Sequence, residues 1–100
     1  MTKYQFTPQA TDDLFSIWQY IATDNLEAAD QVEAAVYSAC EFLATTPLAG
    51  TIREDLTPHP VRFWLVLPYR TYWVVYDPEH SPLRVIRILH AARAIKRILG

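Results

Sequence analysis

The chain has 100 residues, enough for one domain and too few for two. A hydrophobic share of 51% against 20% charged residues excludes a disordered chain, and a single cysteine, Cys40, excludes an internal disulfide and fits a reducing cytoplasm. The net charge of −2 argues against a general nucleic-acid coat, yet it is unevenly spread: residues 1–50 hold seven acids against Lys3 alone, residues 51–100 four acids against eight bases.

Met1 to Pro8 carries no long apolar run, so no signal peptide is expected, and no stretch approaches the ~20 apolar residues of a membrane helix. Tyr4-Gln5-Phe6 alternates as a short strand does. Thr7-Pro8 then reads as a helix start, with Thr as N-cap and Pro in the first turn. Leu14, Ile17, Trp18 and Ile21 form one helical stripe. Asp24-Asn25 interrupts it, and either residue suits the cap of a second helix; Glu27 would complete a capping box with Asp24. Val32, Val36, Ala39, Cys40 and Leu43 form the second stripe, which makes Cys40 a buried structural thiol. The short joint predicts an antiparallel helical hairpin.

Residues 47–60, with Pro47, Gly50, Pro58 and Pro60, read as a connecting loop. Three strand-like runs follow, Val61–Leu67, Tyr69–Tyr76 and Leu83–His90, with connections short enough for an antiparallel meander. Ala91–Leu99 adds a short helix with Ile95, Ile98 and Leu99 on one side. The predicted fold is α+β in the order β-α-α-β-β-β, one domain over residues 1–100: a helical hairpin on one face of a mainly antiparallel four-strand sheet, with the second strand antiparallel to the first.

Regular alternation puts Tyr69, Thr71, Trp73 and Val75 on one face, and Arg70, Tyr72, Val74 and Tyr76 on the other. In the last strand Val85, Arg87 and Leu89 oppose Arg84, Ile86, Ile88 and His90. Neither strand shows a solvent-like face, and two helices cover only one side of the sheet. The other side is expected to meet a partner; the alternative is closure by the C-terminal helix. The segment 84–100 holds Arg84, Arg87, Arg93, Lys96 and Arg97 without an acid, a surface suited to an anionic partner.

Phe6-Thr7-Pro8-Gln9-Ala10, Asp13-Leu14, Ile17-Trp18 and Tyr20-Ile21-Ala22 resemble the opening of ParE-like toxins of the RelE/ParE superfamily. Pro47-Leu48-Ala49-Gly50 with Arg53-Glu54-Asp55-Leu56 is similar to their loop, and Arg62, Tyr69-Arg70 and Tyr76 to their middle strands. Arg87-Ile88-Leu89-His90-Ala91-Ala92-Arg93 resembles their closing motif, with two departures: Ala91 where glycine is usual and Ala94 where aspartate is usual. The resemblance runs from about residue 4 to 94. It implies the toxin of a type II toxin–antitoxin pair, cytoplasmic and without cofactor, neutralised by a cognate antitoxin. That agrees with the uncovered aromatic side of the sheet, where Trp64, Tyr72, Trp73 and Tyr76 are the candidate antitoxin contacts, with a core role as the alternative for Trp64 and Trp73.

Two activities are associated with this fold, and fold alone does not choose between them. ParE-like members inhibit DNA gyrase, which implies a basic target-binding surface of Arg87, His90, Arg93, Lys96 and Arg97. RelE-like members cleave messenger RNA on the ribosome, which asks for an acid, a base and a phosphate clamp. His90 as acid, Glu54 as base, and Arg62 with Arg87 as clamp are the candidates. Against that reading, Arg87 and His90 fall on opposite faces of a regular strand, and Ala91-Ala92 stands where ribonuclease members carry an aromatic. A third alternative is a non-toxic binding module. His59 and His80 lie in Pro-flanked loops without metal-ligand spacing, so no metal site is expected.

Overall fold

A computed structural model of the chain describes residues 3–93 and 95–99; Ala94, one of the two departures from the closing motif, lies outside them. The elements are β1 (Tyr4–Phe6), α1 (Pro8–Ala22), α2 (Leu26–Thr45), β2 (Thr51–Ile52), β3 (Arg62–Leu65), β4 (Tyr72–Asp77), β5 (Leu83–His90) and α3 (Ile95–Leu99).

Thr7 ends β1 and starts α1. Its Oγ1 accepts from the Ala10 N–H at 3.1 Å and donates to the Ile86 carbonyl at 2.7 Å, while its own N–H reaches the Val85 carbonyl at 3.0 Å. The helix start is thereby tied to β5. Asn25, rather than Asp24, caps α2, accepting from the Ala28 N–H at 3.0 Å. Trp18 Nε1 donates to Asp30 Oδ1 at 2.8 Å and links the two helices of the hairpin.

The sheet has five strands in the order β1-β5-β4-β3-β2. The additional strand is β2, which lies within the segment expected to be loop throughout. It also corrects the direction expected for the strand beginning near Val61. The hairpin does return the chain to the end it left, but β2 takes the resulting antiparallel course, and β3 then reverses again. β3 therefore runs with β1, and β1 pairs in parallel with β5 through Tyr4–Leu83, Gln5–Arg84 and Phe6–Val85.

A bulge changes which side chains share a face. Tyr76 pairs with Val85 and Val75 with Arg87, so Ile86 is an extra residue on β5. Val85 and Ile88 consequently face the helices with Val74 and Tyr76, while Ile86 and Leu89 pack on the other side with Phe63 and Val75. The regular alternation expected for this strand does not hold. A run with apolar residues at 83, 85, 86, 88 and 89 packs all of them against a core, Ile86 only in part, by breaking the two-residue period once.

The second face is not left open as expected. α3 folds back over it, with Ile95 buried and Ile98 and Leu99 packed beside Val61, Phe63 and Val75; Leu56 joins them from the β2–β3 loop. The His59 Nε2–H donates to the Leu99 carbonyl at 3.0 Å. Five residues do not make a stable helix in water, so apolar burial holds this one in place.

Cys40 is fully buried on the inner face of α2, and burial pushes its thiol from an ordinary 9.0 up to about 12. Because the folded value lies above the unfolded one, this contribution is intact below pH 9 and is lost as the pH rises toward 12. Chemical denaturation should show stability falling by up to about 1.4 kcal/mol per pH unit across that window. Cys40→Ala should flatten the early part of the decline; an unchanged profile would remove Cys40 as its cause.

Candidate functional site

β1 is only three residues long, and its pairing with β5 stops at Val85. Beyond that point the edge of β5 faces α1. The Asp13 carboxylate fills the position, accepting from Arg87 Nε at 2.7 Å, Arg87 Nη2 at 2.9 Å and the Ile88 N–H at 3.1 Å. It thus replaces a missing neighbouring strand at one ladder position and neutralises the arginine beside it. The paired hydrogen bonds from Asp13 hold the Arg87 guanidinium above its ordinary range, against the opposing effect of burial.

Three residues on, His90 pairs with Tyr72, and the two rings meet edge to face with centroids 5.5 Å apart. His90 Nδ1 accepts from the Ala92 N–H at 3.0 Å. The neutral imidazole therefore carries its proton on Nε2 and presents a donor outward. The Arg93 N–H closes the turn onto the His90 carbonyl at 3.0 Å, and the Arg93 side chain is exposed. Asp13, Ser16, Arg87, His90 and Arg93 line one cleft of roughly 240 Å³. Ser16, Tyr20, Tyr72, His90 and Arg93 line a second, of roughly 510 Å³. Burial, with the nearby Tyr20 as a smaller cause, raises the pKa of the Tyr72 phenol. Lys96 and Arg97 are exposed on α3.

Of the five residues expected to bind the target, Arg87, His90 and Arg93 line one cleft, with Arg87 already engaged by Asp13, whereas Lys96 and Arg97 are exposed on α3, where Lys96 adds a smaller effect to the Arg53 hydrogen bond that lowers the pKa of Asp55. The four expected for RNA cleavage do not gather. Arg62 donates to the Gly50 carbonyl at 2.7 Å and the Leu48 carbonyl at 3.3 Å, so it holds the Pro47–Gly50 loop. It lines a different cleft, with Ile52 and Asp77. Glu54 is exposed in the turn after β2, next to the Arg53–Asp55 ion pair. The bulge at Ile86 precedes both Arg87 and His90, so it does not bring them to one face of β5. They meet at the strand's edge instead.

The aromatic residues expected to meet an antitoxin do not form one surface. Tyr76 is a correction: it is fully buried, with its hydroxyl donating to the Pro47 carbonyl at 2.6 Å and accepting from the Gly50 N–H at 2.9 Å. Trp64 is half-buried on the helix side against Phe42, with centroids 5.2 Å apart. Tyr72 is on the same side near His90, whereas Trp73 lies on the opposite side, edge-on to Phe63 at 5.7 Å. Tyr20, which the sequence places off the apolar stripe of α1, is 82% exposed and borders the larger cleft. Asp13 is legible in the sequence only as an acid near a helix start.

The chain resembles a solved chain described as the chromosomal ParDE TA system from P. aeruginosa, with a TM-score of 0.71 at 19% identity, covering 90% of this chain and 96% of that one. The family of the ParE toxin of the type II toxin–antitoxin system, parDE, matches residues 4–95. The chain therefore belongs to the ParE toxin family. No curated protein matches the chain in sequence.

Proposed function

We propose that this ParE-family toxin acts by inhibiting DNA gyrase in the cytoplasm and is neutralised by a cognate antitoxin. The observation that carries this reading is the run of exposed cations Arg93, Lys96 and Arg97 in a segment whose sequence holds no acid, with Arg93 lining one cleft with His90 and Arg87. Such a surface suits recognition of an anionic partner and needs no proton-transfer set. The separation of Arg62, in another cleft, and of Glu54, after the edge strand β2, from Arg87 and His90 supports the same reading over ribonuclease chemistry. For the antitoxin, exposed Tyr20 and Leu48, at 82% and 68%, together with Trp64, Tyr72 and Trp73, supply apolar surface for it to cover.

The test is supercoiling of relaxed plasmid by purified gyrase with ATP in the presence of the full chain. Near-stoichiometric inhibition or accumulated linear DNA is the expected result. Combined Arg93→Ala, Lys96→Ala and Arg97→Ala should weaken inhibition at least about tenfold, a loss typical of removing an electrostatic patch. Substitution is preferable to truncation here, because removing α3 would also strip Val61, Phe63 and Val75 of their cover. Full supercoiling in the presence of excess folded protein would reject the gyrase reading and move attention to the ribosome.

A further inference from the structure

The larger cleft is lined by Ser16, Ile17, Tyr20, Tyr72, His90 and Arg93, and no carboxylate lines it among the described residues. The one acid of the adjoining cleft, Asp13, already accepts three hydrogen bonds from Arg87 and Ile88. The polar groups bordering the larger cleft can all donate: the Ser16, Tyr20 and Tyr72 hydroxyls, His90 Nε2–H and the Arg93 guanidinium. The neutral His90 ring offers that donor, because Nδ1 accepts from the Ala92 amide and the proton is left on Nε2. Such a set fits an oxyanion.

Beside the donors stands an apolar and aromatic wall. Tyr20 is 82% exposed, so its ring is open to stacking, and Ile17 and Tyr72 flank it. The volume of roughly 510 Å³ lies within the usual range of small-ligand clefts, about 300–1,000 Å³. One guanidinium and one imidazole match a single phosphate, whereas an extended acidic peptide would call for a longer row of cations. A bare phosphate, in turn, would leave the Tyr20 ring uncovered. We infer that this cleft between α1 and the end of β5 is a binding site for a mononucleotide, with its phosphate on Arg93 and His90 and its base against Tyr20. The inference goes beyond the gyrase reading and does not rest on it.

Isotope-labelled full chain titrated with AMP, adenosine, inorganic phosphate and a glutamate-rich peptide, each followed by amide chemical shifts, tests the site. AMP is expected to bind saturably, shifting Tyr20, Tyr72, His90 and Arg93, and adenosine or phosphate alone should bind at least about tenfold more weakly. Tyr20→Ala and Arg93→Ala, both at exposed positions, should each weaken AMP about tenfold, and Tyr20→Leu as much as Tyr20→Ala. Arg84→Ala, exposed near the start of β5, should leave AMP binding unchanged and so controls for general charge. The idea fails if AMP causes no shift at millimolar concentration, if adenosine or phosphate binds as well as AMP, or if the peptide occupies the cleft more tightly. It fails equally if Arg84→Ala matches Arg93→Ala, or if either Tyr20 variant binds AMP normally. Binding is read without gyrase, so neither result alters the supercoiling test.

Discussion

Gly50→Ala is expected to lower the unfolding free energy by about 3 kcal/mol, a large share of the roughly 5–15 kcal/mol typical of a small domain. A methyl group on Gly50 would stand 2.6 Å from the Tyr76 hydroxyl, 2.8 Å from its Cε1 and 3.0 Å from the Phe63 carbonyl. None of these atoms can yield freely. Tyr76 is fully buried, and its hydroxyl is fixed between the Pro47 carbonyl and the Gly50 amide. Burial raises the pKa of that phenol, against smaller opposing effects of the Gly50 amide and Arg62. Tyr76→Phe should cost about 2 kcal/mol by itself, since it strands a buried N–H and C=O. In the double variant the two costs should fall short of additivity, because removing the hydroxyl relieves the closest contact of the added methyl. Urea denaturation of the two single variants and the double variant measures this. A Gly50→Ala change below about 0.5 kcal/mol would mean that the loop relaxes and that the Tyr76 lock does not define it.

Asp13→Ala is expected to cost about 2–3 kcal/mol and to loosen the end of β5. The Asp13 and Arg87 side chains are only 16% and 25% exposed, so the substitution leaves a largely buried guanidinium without its counter-ion. It also leaves the Ile88 N–H without an acceptor. Because the Arg87 pKa is raised by the Asp13 hydrogen bonds, its share of this stabilisation persists below the ordinary arginine range and is lost only above it. Alkaline weakening between pH 9 and 12 is therefore expected from Cys40 and buried Tyr76, not from this arginine. Hydrogen exchange should show faster opening at Ile88 in Asp13→Ala, with β3 little changed. Equal stability of wild type and variant would show that Arg87 finds another partner.

Much of the fold was legible locally. Thr7-Pro8 and the stripes through Leu14–Ile21 and Val32–Leu43 describe α1 and α2, because caps and the helical period are properties of a few adjacent residues. The range Leu83–His90 was likewise readable for β5, and the cationic run at the end of the chain needs only counting. The family resemblance on the quoted motifs agrees with the match over residues 4–95.

Other features depended on what the chain meets in space. β2 is two residues long and forms only because β3 offers an edge, so nothing in Thr51-Ile52 itself announces a strand. The bulge at Ile86 results from the demand to bury apolar groups on two faces at once, a demand set by both the helices and α3. The fates of the arginines were equally nonlocal. Arg87 and Arg62 look alike in sequence, yet one is engaged by Asp13, 74 residues away, and the other by the carbonyls of Leu48 and Gly50. Whether Tyr76 or Tyr20 stood ready for a partner was decided in the same way: both are tyrosines, but one is sealed by the Pro47–Gly50 loop and the other stands free on α1. Local periodicity determined the elements of this protein, and long-range packing decided which of its polar and aromatic groups remain free to act.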